Sequence, residues 1–184
     1  MPTTLAVVGP VFGGCLLSRH GTREQQEALL PGLVKGEIWA GAFTEPDSGS
    51  NITSIKTRAE LRGDRYVING QKVYISLVQQ SQQIVVMART QPYDPDKRTR
   101  GISLLLGDLP SDAVRTAPFK KLGNHFMDTN RVYFSDYEVP AELFTEFTAI
   151  FEQLQTRASS LAVNPANSLT DLSNEGNEDV EGTD

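Results

Sequence analysis

"TSIKTRAELRGDRYVINGQKVYIS", residues 53–76, alternates apolar and polar side chains between two turn signals. Such a period-2 pattern places one face of a strand in a core and the other toward water. The turns fall at Arg62-Gly63-Asp64 and at Asn69-Gly70, and Asn-Gly between β-like runs is a strong local signal for a tight hairpin. Outward from here the pattern continues. "QIVVMART" (83–90), "GISLLLGDL" (101–109), "AVRTAPFKKLG" (113–123) and "NRVYFSDYEV" (130–139) supply four more candidate strands. "PYDPDKRTR" (92–100) reads as a polar surface excursion. Even spacing and polar turns predict a compact antiparallel barrel of about six or more strands.

The flanks are different. Residues 3–18 are small and apolar, as in a buried helix, and "HGTREQQEALLPGLVKGE" (20–37) reads as a stop and a restart. Gly21 ends one helix, and Thr22 with Gln25 forms a capping box for the next. Pro31 is expected to kink or break that second helix. After the strands, Leu143, Phe147, Ile150, Phe151 and Leu154 recur at helical spacing, predicting a helix over 143–163. Beyond Asn164 the composition cannot offset ordering entropy, so 164–184 reads as a disordered acidic tail. The fold class is therefore α+β: N-terminal helices (1–38), a β-barrel domain (39–142), a helix and a tail.

Charge and cysteine content narrow the function classes. Of the net charge of −6, the stretch after Arg157 holds all, with acids at 171, 175, 178, 179, 181 and 184 and no base. The rest is neutral, which gives no electrostatic footprint for nucleic acid. The chain has one cysteine, Cys15, and two histidines, His20 and His125. No internal disulfide can form, which suits a reducing cytoplasmic setting, and no metal site is expected. The apolar run at the start lacks a basic n-region and is too short to span a bilayer.

Between the helices and the strands lies "GAFTEPDSGSN", residues 41–51. Backbone amides around Gly49, two serine hydroxyls and a threonine hydroxyl make a nest that can hold a phosphate or another electron-rich group. The same residues also make ordinary turns. Neither the dinucleotide G-x-G-x-x-G nor the P-loop G-K-[ST] pattern is present.

Taken in order, "HGTREQQEALLPGLVKGE", "GAFTEPDSGSN", "RGDRYVINGQKVYIS", "GISLLL" and "NRVYFSDYEVPAELF" resemble the acyl-CoA dehydrogenase family over roughly residues 10–144. The resemblance implies FAD as cofactor, an acyl-CoA thioester as substrate and an electron-transfer flavoprotein as electron acceptor. It implies that Gly41, Ala42, Phe43, Thr44 and Ser50 line the flavin, with Ser50 also meeting substrate. Tyr74, Ile75 and Ser76 stand where the family has Trp-Ile-Thr, so the ring of Tyr74 would lie against the isoalloxazine and the Ser76 hydroxyl near its reactive nitrogen. Tyrosine keeps a flat face and serine keeps a donor.

The resemblance stops at Phe144. Most of the family's N-terminal helical domain and its C-terminal four-helix domain find no match, and the latter carries the family's catalytic base. No residue here is assigned that role. Glu45 reads as a structural carboxylate, His125 as a turn residue, Lys97, Arg98 and Arg100 as a solvated loop, and Trp39 as packing. Three readings stay open: an oxidoreductase module needing the helical domain or a homo-oligomer, a non-catalytic flavin- or CoA-binding module, and a β-barrel interaction protein.

Overall fold

The computed structural model describes residues 13–146. Two helices come first: α1 (Cys15–His20) and α2 (Arg23–Val34). The capping box forms as expected, Gln25 N donating to Thr22 Oγ1 at 3.2 Å and Thr22 N donating to Gln25 Oε1 at 2.9 Å. Pro31 neither breaks nor ends α2, which runs on to Val34.

Eight strands follow: β1 (Trp39–Ala42), β2 (Arg58–Arg62), β3 (Arg65–Ser76), β4 (Gln83–Arg89), β5 (Ile102–Asp108), β6 (Val114–Pro118), β7 (Thr129–Pro140) and β8 (Phe144–Glu146). They form one sheet in the order β6-β7-β3-β2-β4-β5-β8, with β1 also on β4. All four candidate strands flanking the opening stretch are present. The sheet is mixed: β1 and β2 each run parallel to β4, and the other pairs are antiparallel.

The expected α+β antiparallel barrel is therefore corrected to a mostly β, curled half-barrel. The curl comes from β5 and β7 meeting across the interior. A side chain at Gly107 would collide with Tyr137 and Val139, and Tyr137 Oη donates to Asp108 O at 2.7 Å. Inside lie Ala40, Ala42, Ile68, Ile84, Val86, Leu105, Val132 and Val139, all fully or nearly fully buried. Each of the buried valine, leucine and isoleucine side chains contributes roughly 1.5–3 kcal/mol. The other face of β4 and β5 (Val85, Leu104, Leu106) lines an apolar cleft with Leu16, Leu17, Leu29 and Trp39. Strand β4 is thus buried on both faces, which explains its unbroken apolar run. Trp39, 1% exposed, packs at the junction of helices and sheet, as its sequence context suggests.

Two local expectations fail for physical reasons. Asn69-Gly70 is no hairpin turn; it lies inside β3, where the register against β7 shifts between Ile68 and Gly70. Gly70 has φ +155, and a Cβ there would come within 2.5 Å of Thr57 Oγ1 and 2.7 Å of Thr57 Cα. The dipeptide serves a bulge and a close backbone approach. Asn69 Nδ2 donates to Asp136 Oδ1, and Asp136 N donates to Asn69 Oδ1, both at 2.9 Å. Asp136 itself has φ +51, so both partner strands carry a kink there. The true turn of this stretch is Gly63-Asp64, joining β2 to β3.

At the other end, Ala141–Leu143 is a 3-10 turn and Phe144–Glu146 pairs with β5, where the sequence suggested the start of a helix. The rest of that predicted helix, the acidic tail and residues 1–12 lie outside the described residues.

Candidate functional site

Strand β1 fixes where the polar loop begins. Its parallel register on β4 (Gly41 opposite Val85, Ala42 opposite Val86) directs residues 43–51 along the edge of β3. Much of the loop's polarity satisfies its own backbone. Glu45 N donates to Ser48 O at 2.9 Å and Ser48 N to Glu45 O at 3.2 Å, closing a turn over Pro46-Asp47. Ser48 Oγ donates to Asn51 O at 2.6 Å, and Asn51 in turn bonds the hydroxyls of Thr53 and Ser54.

Glu45 ties the loop down. Its carboxylate is 5% exposed and accepts three hydrogen bonds, one each from Lys72, Thr57 and Lys56. Lys72 Nζ lies 2.8 Å from Oε1, Thr57 N lies 2.9 Å from Oε1, and Lys56 N lies 2.6 Å from Oε2. Burial alone would raise its pKa, but the bonds from Lys72 and Thr57 outweigh it and hold the carboxyl below its ordinary range. Lys72, fully buried, is held below the ordinary lysine range by desolvation, against the pull of Glu45. A buried carboxylate held by an ammonium and two backbone amides fastens the loop to its surroundings, in keeping with a structural role.

The same contacts join the loop to the Tyr74 motif. Lys72 Nζ donates to Phe43 O at 3.1 Å, and Val73 N donates to Thr44 O at 2.8 Å. Thr44 is thereby set against the residue preceding Tyr74, although the two motifs are far apart in sequence. Tyr74 is 67% exposed, with φ +61, at a second register shift between β3 and β7. A tyrosine in the left-handed region is uncommon, and such strain collects at functional sites. Ile75 is buried beneath it and Ser76 is half-buried opposite Thr129.

Among the other predicted residues, Gly41 and Phe43 are half-buried and Ala42 is buried. Ser50 is exposed beyond the loop's turn, and no hydrogen bond joins it to β3. The structure thus unites Thr44 with the Tyr74 motif and leaves Ser50 at the rim. The hydroxyls of Thr44, Ser50 and Ser76 have no hydrogen-bond partner among the described residues. His125 is exposed with Nε2 3.3 Å from Leu122 O, a turn contact. Lys97, Arg98 and Arg100 project into solvent, as expected.

Three residues at or near the site escape sequence reasoning. Lys72, flanked by polar Gln71 in a strand run, looks like a surface lysine but is fully buried. Phe119 stacks on Tyr74 with ring centroids 5.2 Å apart. Arg89, 8% exposed, donates to the carbonyls of Thr53, Arg98 and Arg100 and anchors the 92–100 excursion. Only the arginine at the end of an apolar strand run gave a sequence signal for any of these. Among the described residues no cluster of side chains could hold a metal ion, and no helix is long and apolar enough to cross a membrane.

Known proteins are similar to this chain in sequence and fold. The family model described as acyl-CoA dehydrogenase, middle domain, matches residues 40–137. Acyl-CoA dehydrogenase IpdE1 of Mycobacterium tuberculosis is 38% identical over 131 residues, covering 71% of this chain and 33% of the relative. A crystal structure of acyl-CoA dehydrogenase from Geobacillus kaustophilus superposes with a TM-score of 0.69 at 36% identity, covering 77% of this chain and 39% of that one. One chain of the ChsE4-ChsE5 complex from Mycobacterium tuberculosis gives a TM-score of 0.67 at 30% identity, covering 76% and 36%. The chain spans roughly a third of the length of such relatives.

Proposed function

The chain belongs to the acyl-CoA dehydrogenase family, and from that premise we propose that residues 41–76 form one wall of an FAD site in an acyl-CoA-oxidising flavoprotein. The observation that carries the reading is the fastening of Thr44 O to Val73 N, which sets the loop beside the exposed ring of Tyr74. Unpartnered hydroxyls around an exposed flat ring fit a flavin, whose polar edge needs donors and whose face needs a stacking surface.

When bound, FAD supplies the hydride acceptor for oxidation of the acyl chain between its α and β carbons. The residues of this chain bind and orient. Gly41, Ala42 and Phe43 line the approach, and Thr44 and Ser76 donate to the flavin's polar edge. Tyr74 presents its ring, Ile75 anchors the strand below, and Ser50 at the rim meets both flavin and thioester. The proton acceptor lies outside these residues, because Glu45 is committed to Lys72 and two backbone amides. Full activity needs the helical parts that the family resemblance implies, supplied by a second chain or a further segment, with an electron-transfer flavoprotein taking the electrons. Cys15, free and exposed, suits a reducing compartment such as the cytoplasm.

Titrating FAD with the full chain and following quenching of flavin fluorescence tests the site. Saturable binding at micromolar affinity or weaker is expected, since part of the cofactor surface stays bare and each 1.4 kcal/mol is about tenfold. No quenching at any concentration overturns the reading. Adding octanoyl-CoA and an artificial electron acceptor to FAD-saturated protein should give no appreciable dye reduction. Turnover of about 1 s⁻¹ or more, in the ordinary enzyme range, would place a base within this chain.

A further inference from the structure

We propose that Phe119 and Arg131 are positioning residues that hold the ring of Tyr74 in place as a one-sided stacking surface. The inference rests on the flavin reading above and extends it to a side chain on β7 and one just past the end of β6.

An exposed tyrosine on a kinked strand should sample several rotamers. Here it is not alone. The rings of Tyr74 and Phe119 stack at 5.2 Å with planes 20° apart, and the guanidinium carbon of Arg131 lies 4.7 Å from the Phe119 centroid. The sheet explains the meeting. Ile75 pairs with Asn130 on β7, and Asn130 pairs with Pro118 on β6, so one rung crosses three strands. Tyr74 precedes that rung and Phe119 follows it. The register shift between Lys72 and Ile75, with the left-handed backbone of Tyr74, turns the ring toward Phe119. Phe119 is itself fixed by its amide, which donates to Thr129 O at 2.8 Å, and Thr129 faces Ser76 across β7 and β3.

The consequence is directional. One face of the Tyr74 ring is covered by Phe119, while the residue stays 67% exposed, so the other face is the one a planar ligand can take. Arg131 restrains the supporting ring through the cation–π contact. A ring already held in its binding orientation loses less freedom when a ligand arrives.

The test uses the full chain labelled with 3-fluorotyrosine, with the Tyr74 resonance assigned from Tyr74→Phe, alongside FAD titration by fluorescence quenching. Phe119→Ala should shift and narrow the Tyr74 signal and weaken FAD binding about three- to tenfold. Phe119→Trp should restore both, and Arg131→Gln should give a smaller change in the same direction, with Arg131→Lys between them. A Tyr74 signal unmoved by Phe119→Ala overturns the inference. So does a moved signal with unchanged FAD affinity. If the parent chain itself fails to quench FAD, the flavin reading falls, and the fluorine signal still decides whether Phe119 holds the ring.

Discussion

The ammonium of Lys72 sits 2.8 Å from Oε1 of Glu45, with the lysine fully buried and the glutamate 5% exposed. Lys72 also holds the Phe43 carbonyl, and its neighbour Val73 holds that of Thr44. The pair is therefore the fastening between the polar loop and β3. Removing one partner leaves a buried charge uncompensated, at a cost of about 3–5 kcal/mol. Glu45→Gln and Lys72→Met should each lower the urea unfolding midpoint accordingly. The double substitution should recover part of the loss, because no lone charge remains. Two single losses that simply add would show that the residues are not coupled.

The same pair sets a pH dependence. The carboxyl of Glu45 titrates below its ordinary value of 4.5 in the folded chain. Its contribution is therefore present above the unfolded value and is lost as pH falls through about 4.5 toward the folded value. Urea midpoints measured from pH 7 down to pH 3 should decline more steeply for the parent chain than for Glu45→Gln/Lys72→Met. Parallel declines would remove Glu45 as the source.

Gly70→Ala probes the bulge. The added methyl would lie 2.5–2.8 Å from three atoms of Thr57, two of them carbons of a buried residue, at φ +155. Overpacking of this kind costs roughly 1–3 kcal/mol, and the backbone strain adds to it. Gly49→Ala, with nothing within 4 Å, is the control and should unfold with the parent chain. Equal midpoints for the two variants would show that the bulge tolerates a side chain.

Tyr74→Gly separates stability from binding. Relief of the left-handed backbone returns about 1–2 kcal/mol, and loss of the stack on Phe119 costs about 0.5–1.5 kcal/mol. Stability should change by less than about 1 kcal/mol, while FAD affinity falls tenfold or more. A variant that binds FAD as the parent does would take Tyr74 out of the site.

Local chemistry was legible wherever neighbours in sequence are neighbours in space. The period-2 alternation placed the strands, Thr22 and Gln25 placed the start of α2, and Gly63-Asp64 marked a real turn. The order of the five segments from His20 to Phe144 carried the family. Pairings between distant segments were not legible. The parallel contacts of β1 and β2 with β4 depend on where the sheet curls, and no local pattern encodes that. Asn69-Gly70 satisfies the rules of a hairpin turn equally well as a bulge, and only the closeness of Thr57 and the bonds to Asp136 decide between them. Lys72 shows the limit most plainly. Its charge predicts water, but it lies fully buried on β3 between two register shifts, where a carboxylate from a distant loop makes its burial tolerable. Sequence determined the strands and the residue types of the wall. Tertiary pairing decided which of those residues face one another, because that depends on register between strands rather than on any residue's own preference.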